Sequence, residues 1–319
     1  MGDLASILPS YFGASGERAV KERGFYLIEA GKIHKTDCKP RKILARFNLL
    51  NRVEENNFPY AERIIPAASG EPFIALGRDI FVMTRRVPGC EPDFENAGHL
   101  TLIIESIAKF HAAARDIFEK EIPVAPSLTD VFSKQIAAIN ATIKQINRRP
   151  RLSDFDVLVL KHADSFITQA KTAQNVLAET NYEFLHADAI KNGHICHNNL
   201  KEEALSVAED ACYISRFEEA KFDLQISDIA SILRRYARKS SRNISATCFL
   251  DIYEKFLPLP ASARKILFAE LSFPWPFFKL ISQCYQKKRT FIPAAITSSM
   301  TEILEERDGY DKYVESLKL

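Results

Sequence analysis

The sequence has no long apolar run. Its most apolar segment, residues 268–281, is interrupted by Glu270, Pro274, Pro276 and Lys279. A membrane-spanning helix needs about 20 consecutive apolar residues, so no such helix is expected. The first residues also lack a basic region followed by an apolar run, and a secretory signal is therefore not expected either.

Paired cysteines and a strong net charge are missing as well. The six cysteines are scattered and none forms Cys-x-x-Cys, which argues against a zinc ribbon or a disulfide scaffold and indicates a reducing cytoplasm. The formal net charge of +2 provides no field that favours nucleic acid. Short basic clusters at residues 148–151, 234–242 and 287–289 are interpreted as solvated helix ends or loops.

The first 87 residues have the patterns of a small β-rich unit with one helix. Residues 25–28 and 32–36 predict two strands. Residues 41–55 carry apolar side chains at helical spacing. Two further predicted strands, residues 73–76 and 80–86, flank a turn that contains Gly77.

Beyond a proline- and glycine-rich cluster at residues 88–92, the pattern becomes helical. Apolar residues at helical spacing predict helices at residues 100–114, 132–146, 154–179 and 226–236. The short runs 194–200 and 211–217 are interpreted as a small β-hairpin among these helices. The predicted fold class is therefore α+β, with a small β-rich lobe at residues 1–87 and a mainly helical lobe at residues 88–319. This order of elements is compatible with a protein-kinase-like fold.

Several motifs occur in the order that phosphoryl transfer from ATP requires. That chemistry needs a lysine for the phosphates, an acid for the acceptor hydroxyl, and an Asn and an Asp for magnesium. In kinase-like phosphotransferases the last three groups lie on a His-Gly-Asp-x-x-x-x-Asn loop and a strand that ends in Asp-Phe/Trp-Glu/Asp. Here His197-Asn198-Asn199 follows an apolar pair, and Arg216-Phe217-Glu218 follows a strand-like run.

On these motifs, the chain resembles the CotS family of spore-coat proteins, which share a fold with aminoglycoside phosphotransferases and choline kinases. Supporting stretches are residues 57–59, 86–89, 107–111, 195–199 and 273–285. The resemblance implies a two-lobed, protein-kinase-like fold with a degenerate catalytic loop in the helical lobe. It also implies a protein made in the mother-cell cytoplasm and then located in the spore coat, with other coat proteins or spore polysaccharide as partners.

The same alignment reveals three departures from the family pattern. Asn199 occupies the position of the catalytic Asp, and an amide cannot accept a proton from the acceptor. Ala204 occupies the position of the magnesium-binding Asn, and Arg216 that of the magnesium-binding Asp. A guanidinium is always positive and repels a metal ion, so no metal site is expected. The predicted function is that of a pseudokinase that acts by binding or assembly, and any bound nucleotide is expected without magnesium.

Two alternatives remain open at this point. In the first alternative, His186-Ala187-Asp188, followed by Asn192, forms the catalytic loop in place of the segment at His197, and the alignment with the family pattern shifts accordingly. A carboxylate such as Glu218, Glu219 or Asp210 could also replace the missing ligand. Either alternative leads to an atypical ATP-dependent phosphotransferase that acts on a small molecule or a glycan.

Three further residues have a predicted role. Lys35 is either the strand lysine that contacts nucleotide phosphate or an exposed strand lysine. His111 is interpreted as a buried, hydrogen-bonded histidine on an apolar helix face. Asp228 precedes an apolar helical run, which fits a helix N-cap or, by the resemblance, a brace for the loop around His197.

Overall fold

The computed structural model describes residues 4–239, 242, 244–286 and 293–317. The basic cluster 287–289 and part of the cluster 234–242 lie outside these residues. The chain forms two compact units, each assembled from three segments. The first contains Met1–Val124, Ala189–Gln225 and Ile252–Leu257, and the second contains Ala125–Asp188, Ile226–Asp251 and Pro258–Leu319. The division into domains at residue 87 remains a prediction.

The first unit contains an antiparallel sheet. Its strands are β1 (Val20–Glu22), β2 (Phe25–Ile28), β3 (Gly31–Thr36), β4 (Ile64–Ile65), β5 (Ile74–Leu76) and β6 (Asp79–Thr84). They are arranged in the order β1-β2-β3-β6-β4, and β5 also pairs with β6. The four strands predicted from the sequence correspond to β2, β3, β5 and β6.

Alternation along β3 gives the sheet two different faces. Ile33 lies with Phe81 and Met83 in a core that is closed by Leu8 of helix α1 (Leu4–Tyr11), a helix that the sequence patterns did not predict. His34 points to the opposite face. Helix α2 (Pro40–Glu55) follows β3, and its proline at the first helical turn suits a position where no amide donor is needed.

The first unit also contains helix α3 (Ala97–Ala113) and four short strands. They are β7 (Ile195–Cys196), β8 (Leu205–Val207), β9 (Cys212–Ile214) and β10 (Lys221–Phe222). A β-hairpin is present, as predicted, but its strands are β8 and β9, whereas β7 pairs with β10. The prediction that the runs 194–200 and 211–217 pair with each other is therefore wrong, because the acidic turn joins β9 to a strand that begins only at Leu205.

The second unit is helical, and it contains three of the four helices predicted beyond residue 92. Ser153 and Asp156 form a capping box at the start of its longest helix. Stacked rings pack its core, with 4.2 Å between the centroids of Phe132 and Phe273. The helices that lie wholly or mostly in this unit are α4 (Leu128–Asn147), α5 (Asp154–Ala178), α6 (Tyr182–Lys191), α7 (Ile226–Lys239), α8 (Ala246–Glu254), α9 (Ala263–Ser272), α10 (Trp275–Ile281) and α11 (Pro293–Glu315).

Among the described residues, no helix combines the length and the apolar character that crossing a lipid bilayer requires.

Candidate active site

The loop that follows β7 is organised around the ring of His197. This side chain is completely buried, and its Nε2 lies 2.8 Å from the carbonyl oxygen of Ser215, to which it donates. The backbone N–H of Asn199 donates to the Nδ1 of the same ring over 3.2 Å. His197 therefore ties the loop to the end of β9 through Nε2, while its Nδ1 holds the backbone of Asn199 within the loop.

Asn198 stands at the glycine position of the family pattern and has a backbone conformation that favours glycine. Its φ is +60°, in the left-handed region, where asparagine is among the best tolerated residues after glycine. Its amide nitrogen donates to the carbonyl oxygen of Glu219 over 3.2 Å. The side chain of Asn199 makes no hydrogen bond within the part of the chain that the structure describes. The loop thus follows a strand, as expected, but the side chain at the position of the family's catalytic Asp is the amide of Asn199.

Ala204 and Arg216 are held next to each other. The N–H of Ser215 donates to the carbonyl oxygen of Ala204 over 2.8 Å, and the Ser215 hydroxyl donates to the same oxygen over 3.3 Å. These are the two positions that the family pattern fills with magnesium ligands. A methyl group and a guanidinium are present instead.

Arg216 adopts a left-handed conformation, with φ 65° and ψ 53°. A non-glycine residue in this region carries a conformational cost that its surroundings must offset. Glu62 stabilises this conformation, because its buried carboxylate accepts hydrogen bonds from the backbone N–H groups of Arg216 and Phe217. Burial, with the neighbouring charge of Glu218 in support, raises the pKa of Glu62 although Arg46 and the two amides oppose the shift.

A second carboxylate is neutralised by an arginine of helix α2. The Arg46 guanidinium forms an ion pair with Glu218, and only 7% of the Arg46 side chain is exposed. In protein kinases the helix after the lysine strand carries a glutamate that pairs with that lysine. Here the helix that follows β3 contributes the cation, and the acid comes from the segment after β9. Relative to the kinase pair, the helix therefore contributes the positive charge and its partner the negative charge.

His34 is the β3 residue that faces this group. Burial lowers its pKa, and the positive charges of Arg46 and Arg216 lower it further, while Glu218 opposes them. The uncharged imidazole is therefore favoured at neutral pH. Sequence patterns missed His34, Arg46 and Glu62, although strand alternation from the buried Ile33 could have identified the first of them.

Lys35 is not part of this group. It lies on the other face of β3, where its Nζ is 2.8 Å from a carboxylate oxygen of Asp79 and about half of its side chain is exposed. This arrangement agrees with the prediction of an exposed strand lysine rather than with that of a lysine that contacts nucleotide phosphate. The structure does not bring Lys35 to Arg46, Glu218 or Arg216.

The two remaining predicted residues, His111 and Asp228, are buried side chains. His111 is completely buried, and its Nδ1 lies 2.8 Å from the Tyr253 hydroxyl, in agreement with a hydrogen-bonded core histidine. Asp228 belongs to the second unit and is buried in the first turn of α7. Because that helix begins at Ile226, the interpretation of Asp228 as an N-cap is wrong.

The alternative phase of the alignment does not fit the fold. His186 and Asp188 lie inside helix α6, where the His186 ring stacks on Tyr182, and not in a loop after a strand. Of the two candidate loops, the one at His197 has a strand before it and a hairpin after it. The alignment through Asn199 is therefore the one that agrees with the described structure.

The charges of this site are nearly balanced among protein groups. The carboxyl groups of Glu62 and Glu218 both interact with the Arg46 guanidinium, and Arg216 adds a second positive charge that acts on His34. Magnesium is held in proteins mainly by carboxylates and by the phosphates of the substrate. The residues at the expected ligand positions do not fit that ion, because Ala204 offers no side-chain ligand and Arg216 is a cation.

The fold places the chain in a known structural class. It has the kinase-like fold of small-molecule phosphotransferases, as the overlap with solved structures establishes. An aminoglycoside phosphotransferase from Alicyclobacillus acidocaldarius overlaps with a TM-score of 0.84 at 15% sequence identity, over 95% of this chain and 91% of that one. A choline/ethanolamine kinase family protein from Mesorhizobium loti overlaps with a TM-score of 0.57 at 8% identity, over 99% and 97% of the two chains.

Within that class, the chain belongs to a spore-coat family. The family described as "Spore coat putative kinase YutH" matches residues 17–317, so the resemblance to spore-coat proteins is confirmed. The chain is 22% identical to the endospore coat-associated protein YutH of Bacillus subtilis over 272 residues, which cover 83% of this chain and 75% of that protein. It is also 22% identical to spore coat protein S of Bacillus subtilis over 166 residues, 51% of this chain. This second match spans less than half, 47%, of the length of spore coat protein S.

Proposed function

We propose that this protein is a spore-coat pseudokinase, in which the kinase-like site binds a ligand and does not transfer a phosphoryl group. The observation that carries the proposal is the position of Arg216. In the alignment with the family pattern, Arg216 stands where a metal-binding carboxylate is expected, and the nearby Glu218 is paired with Arg46. The proposed site therefore has a cationic side chain where the family pattern has a metal ligand.

The expected loss of catalysis is large. Removing one main electrostatic contributor to a transition state typically costs about 3 to 4 kcal/mol, roughly a thousandfold in rate. Asn199, Ala204 and Arg216 alter three such contributors, and their effects do not add fully because they act on the same reacting group. Asn199 also cannot accept the proton of an acceptor hydroxyl.

Nucleotide binding without magnesium is compatible with the same residues. The triphosphate of ATP needs positive charge, and a guanidinium is well suited to phosphate because it donates in a planar fork. Arg216 is exposed and accordingly accessible to such a ligand. A bound nucleotide would stabilise the folded chain by mass action and would act as a structural ligand.

The coat assignment rests on the family and on the names of the relatives. We propose that the protein is made in the mother-cell cytoplasm and is then incorporated into the coat. Its partners there would be other coat proteins or spore polysaccharide. The altered site supports a role in binding or assembly.

Thermal unfolding of the full chain with ATP tests the proposal. ATP with EDTA is expected to raise the melting temperature, and a concentration of 100 times the Kd corresponds to about 2.7 kcal/mol. Replacing EDTA by magnesium is expected to add no stabilisation. Arg216→Gln is expected to remove the effect, whereas Arg52→Gln, at an exposed arginine of the same unit, is expected to retain it.

Two results would overturn the proposal in different ways. A shift that requires magnesium, together with release of ADP, would establish the alternative, an atypical phosphotransferase. No shift under either condition would mean that the site has lost its nucleotide and that the chain acts only as a structural component.

A further inference from the structure

A basic groove in the second unit has no role in the function proposed above. It has a volume of about 800 Å³ and lies among α4, α7, α10 and α11. Four cationic side chains and two glutamates contribute to its walls. The charged lining consists of Arg234, Arg235, Arg238, Lys279, Glu302 and Glu306.

Helix α7 presents its polar stripe to this groove. Ser231, Arg234, Arg235 and Arg238 recur at the spacing of one helix face, and all four line the groove. Apolar residues of the same helix, such as Ile232, are buried in the core. A polar helix face normally lies against open solvent, but here three arginines converge on a concave surface. The interpretation of this cluster as a solvated helix end is therefore incomplete.

The arginines differ in how firmly they are held. Arg234 is fixed by Glu270, with 3.2 Å between nitrogen and oxygen, and its guanidinium lies 5.7 Å from the centre of the Trp275 ring. Arg238 makes a longer contact of 3.6 Å with Glu306 and is 41% exposed. Arg234 is thus part of the scaffold, and Arg238 remains accessible to a ligand.

Lys279 adds positive charge to the groove from a second helix. It is exposed on α10 and has no ion-pair partner within the described residues. Trp275, whose indole N–H donates to the carbonyl oxygen of Glu270, also lines the groove and provides a flat apolar surface. The groove therefore combines accessible cations from two helices with an aromatic side chain.

We propose that this groove binds a multivalent oxyanion, which carries two or more phosphate or carboxylate groups. Several cations from two helices match several negative groups on one ligand better than they match a single ion. The volume is within the range of small-molecule sites. The groove lies wholly within the second unit, so the proposal is independent of the nucleotide site around Arg216.

Calorimetric titration of the full chain at low ionic strength, with EDTA present, tests the proposal. The probes are tripolyphosphate for the phosphate class and citrate for the carboxylate class, and the tighter probe identifies the class. Lys279→Glu is expected to weaken binding of that probe by about tenfold, because a repulsive charge replaces an attractive one. Lys265→Glu has the same change of net charge at an exposed position outside the groove, and binding is expected to stay within about twofold.

A second pair of variants has the opposite sign. Glu302→Gln removes a negative charge from the groove wall and is expected to strengthen binding by about threefold, whereas Glu305→Gln, exposed on the same helix, is expected to leave it unchanged. Circular dichroism melting of each variant verifies that it is folded. The proposal is overturned if neither probe binds, if Lys279→Glu and Lys265→Glu behave alike, or if Arg216→Gln removes the binding.

Discussion

The inverted ion pair between Arg46 and Glu218 makes a specific prediction about stability. Arg46→Met keeps an unbranched apolar stem in place of the arginine methylenes and removes the charge. The variant leaves Glu62 buried and Glu218 one-third exposed without their nearest cation. Removing one partner of a buried pair costs about 3 to 5 kcal/mol, and the exposure of Glu218 favours the lower end of that range. We therefore expect a loss of about 3 kcal/mol at pH 7.

The pH dependence follows from Glu62. Burial raises the pKa of its carboxyl above the ordinary value of 4.5, and Arg46 counteracts that shift. Without Arg46 the folded-state pKa rises further, so the folded variant takes up a proton before the unfolded chain does. Stability of the variant should consequently increase, relative to wild type, as pH falls from 7 towards 4.5.

Urea unfolding followed by far-UV circular dichroism measures these differences. Arg52→Met, on the same helix, removes an exposed arginine that pairs with an exposed glutamate, and it should cost less than about 1 kcal/mol. The double variant Arg46→Met/Glu62→Gln should recover part of the loss, since the buried charge is gone. If the loss of stability in Arg46→Met equals that of the Arg52→Met control, or is independent of pH, the Arg46 side chain does not neutralise Glu62 and Glu218.

Three further predictions concern the same unit. The pKa of His34 is lowered mainly by burial, so the unfolded chain takes up a proton at a higher pH than the folded one. The melting temperature of wild type should therefore fall as pH drops below about 6.5, and that of His34→Gln should depend less on pH. Gly89 has a φ of +99°, and an added Cβ would lie 2.3 Å from a backbone oxygen. Gly89→Ala should therefore lower the free energy of unfolding in urea by about 2 to 3 kcal/mol. Gly70→Ala should lower it by about 1 kcal/mol, because φ there is +87° but the space is open. Burial raises the pKa of the Cys212 thiol to about 12, so iodoacetamide at pH 8 should modify exposed Cys90 and leave Cys212 intact in a mass-spectrometric assay. A pH-independent difference between His34→Gln and wild type, equal losses at the two glycines, or rapid labelling of Cys212 would each contradict the corresponding prediction.

The elements with strong periodicity were predictable from the sequence. The helix at residues 154–179 corresponds to α5 within one residue, because a regular apolar face and the Ser153 capping box define it locally. Strand β2 was predicted at its observed bounds for a similar reason. Helix α1 was missed, since it has only eight residues and a proline inside it.

The candidate site was predictable only in outline. Motif order located Asn199, Ala204 and Arg216, because these positions are fixed by their distance from the buried loop histidine. The partners that neutralise the site come from elsewhere in the chain, 172 residues apart in the case of Arg46 and Glu218. No local pattern encodes such a pair, and the position of Lys35 depends on which face of β3 the sheet turns towards the core. Those facts needed the tertiary structure.

Electron paramagnetic resonance of Mn²⁺, with ATP present, tests the proposed lack of a metal site at Arg216. The wild-type chain is expected to give no protein-bound Mn²⁺ signal, whereas Ala204→Asn/Arg216→Asp, which restores two ligands of the family pattern, is expected to give one. A bound signal from the wild-type chain that disappears in Glu218→Gln would contradict this expectation, because it would mean that the carboxylate paired with Arg46 holds a metal ion.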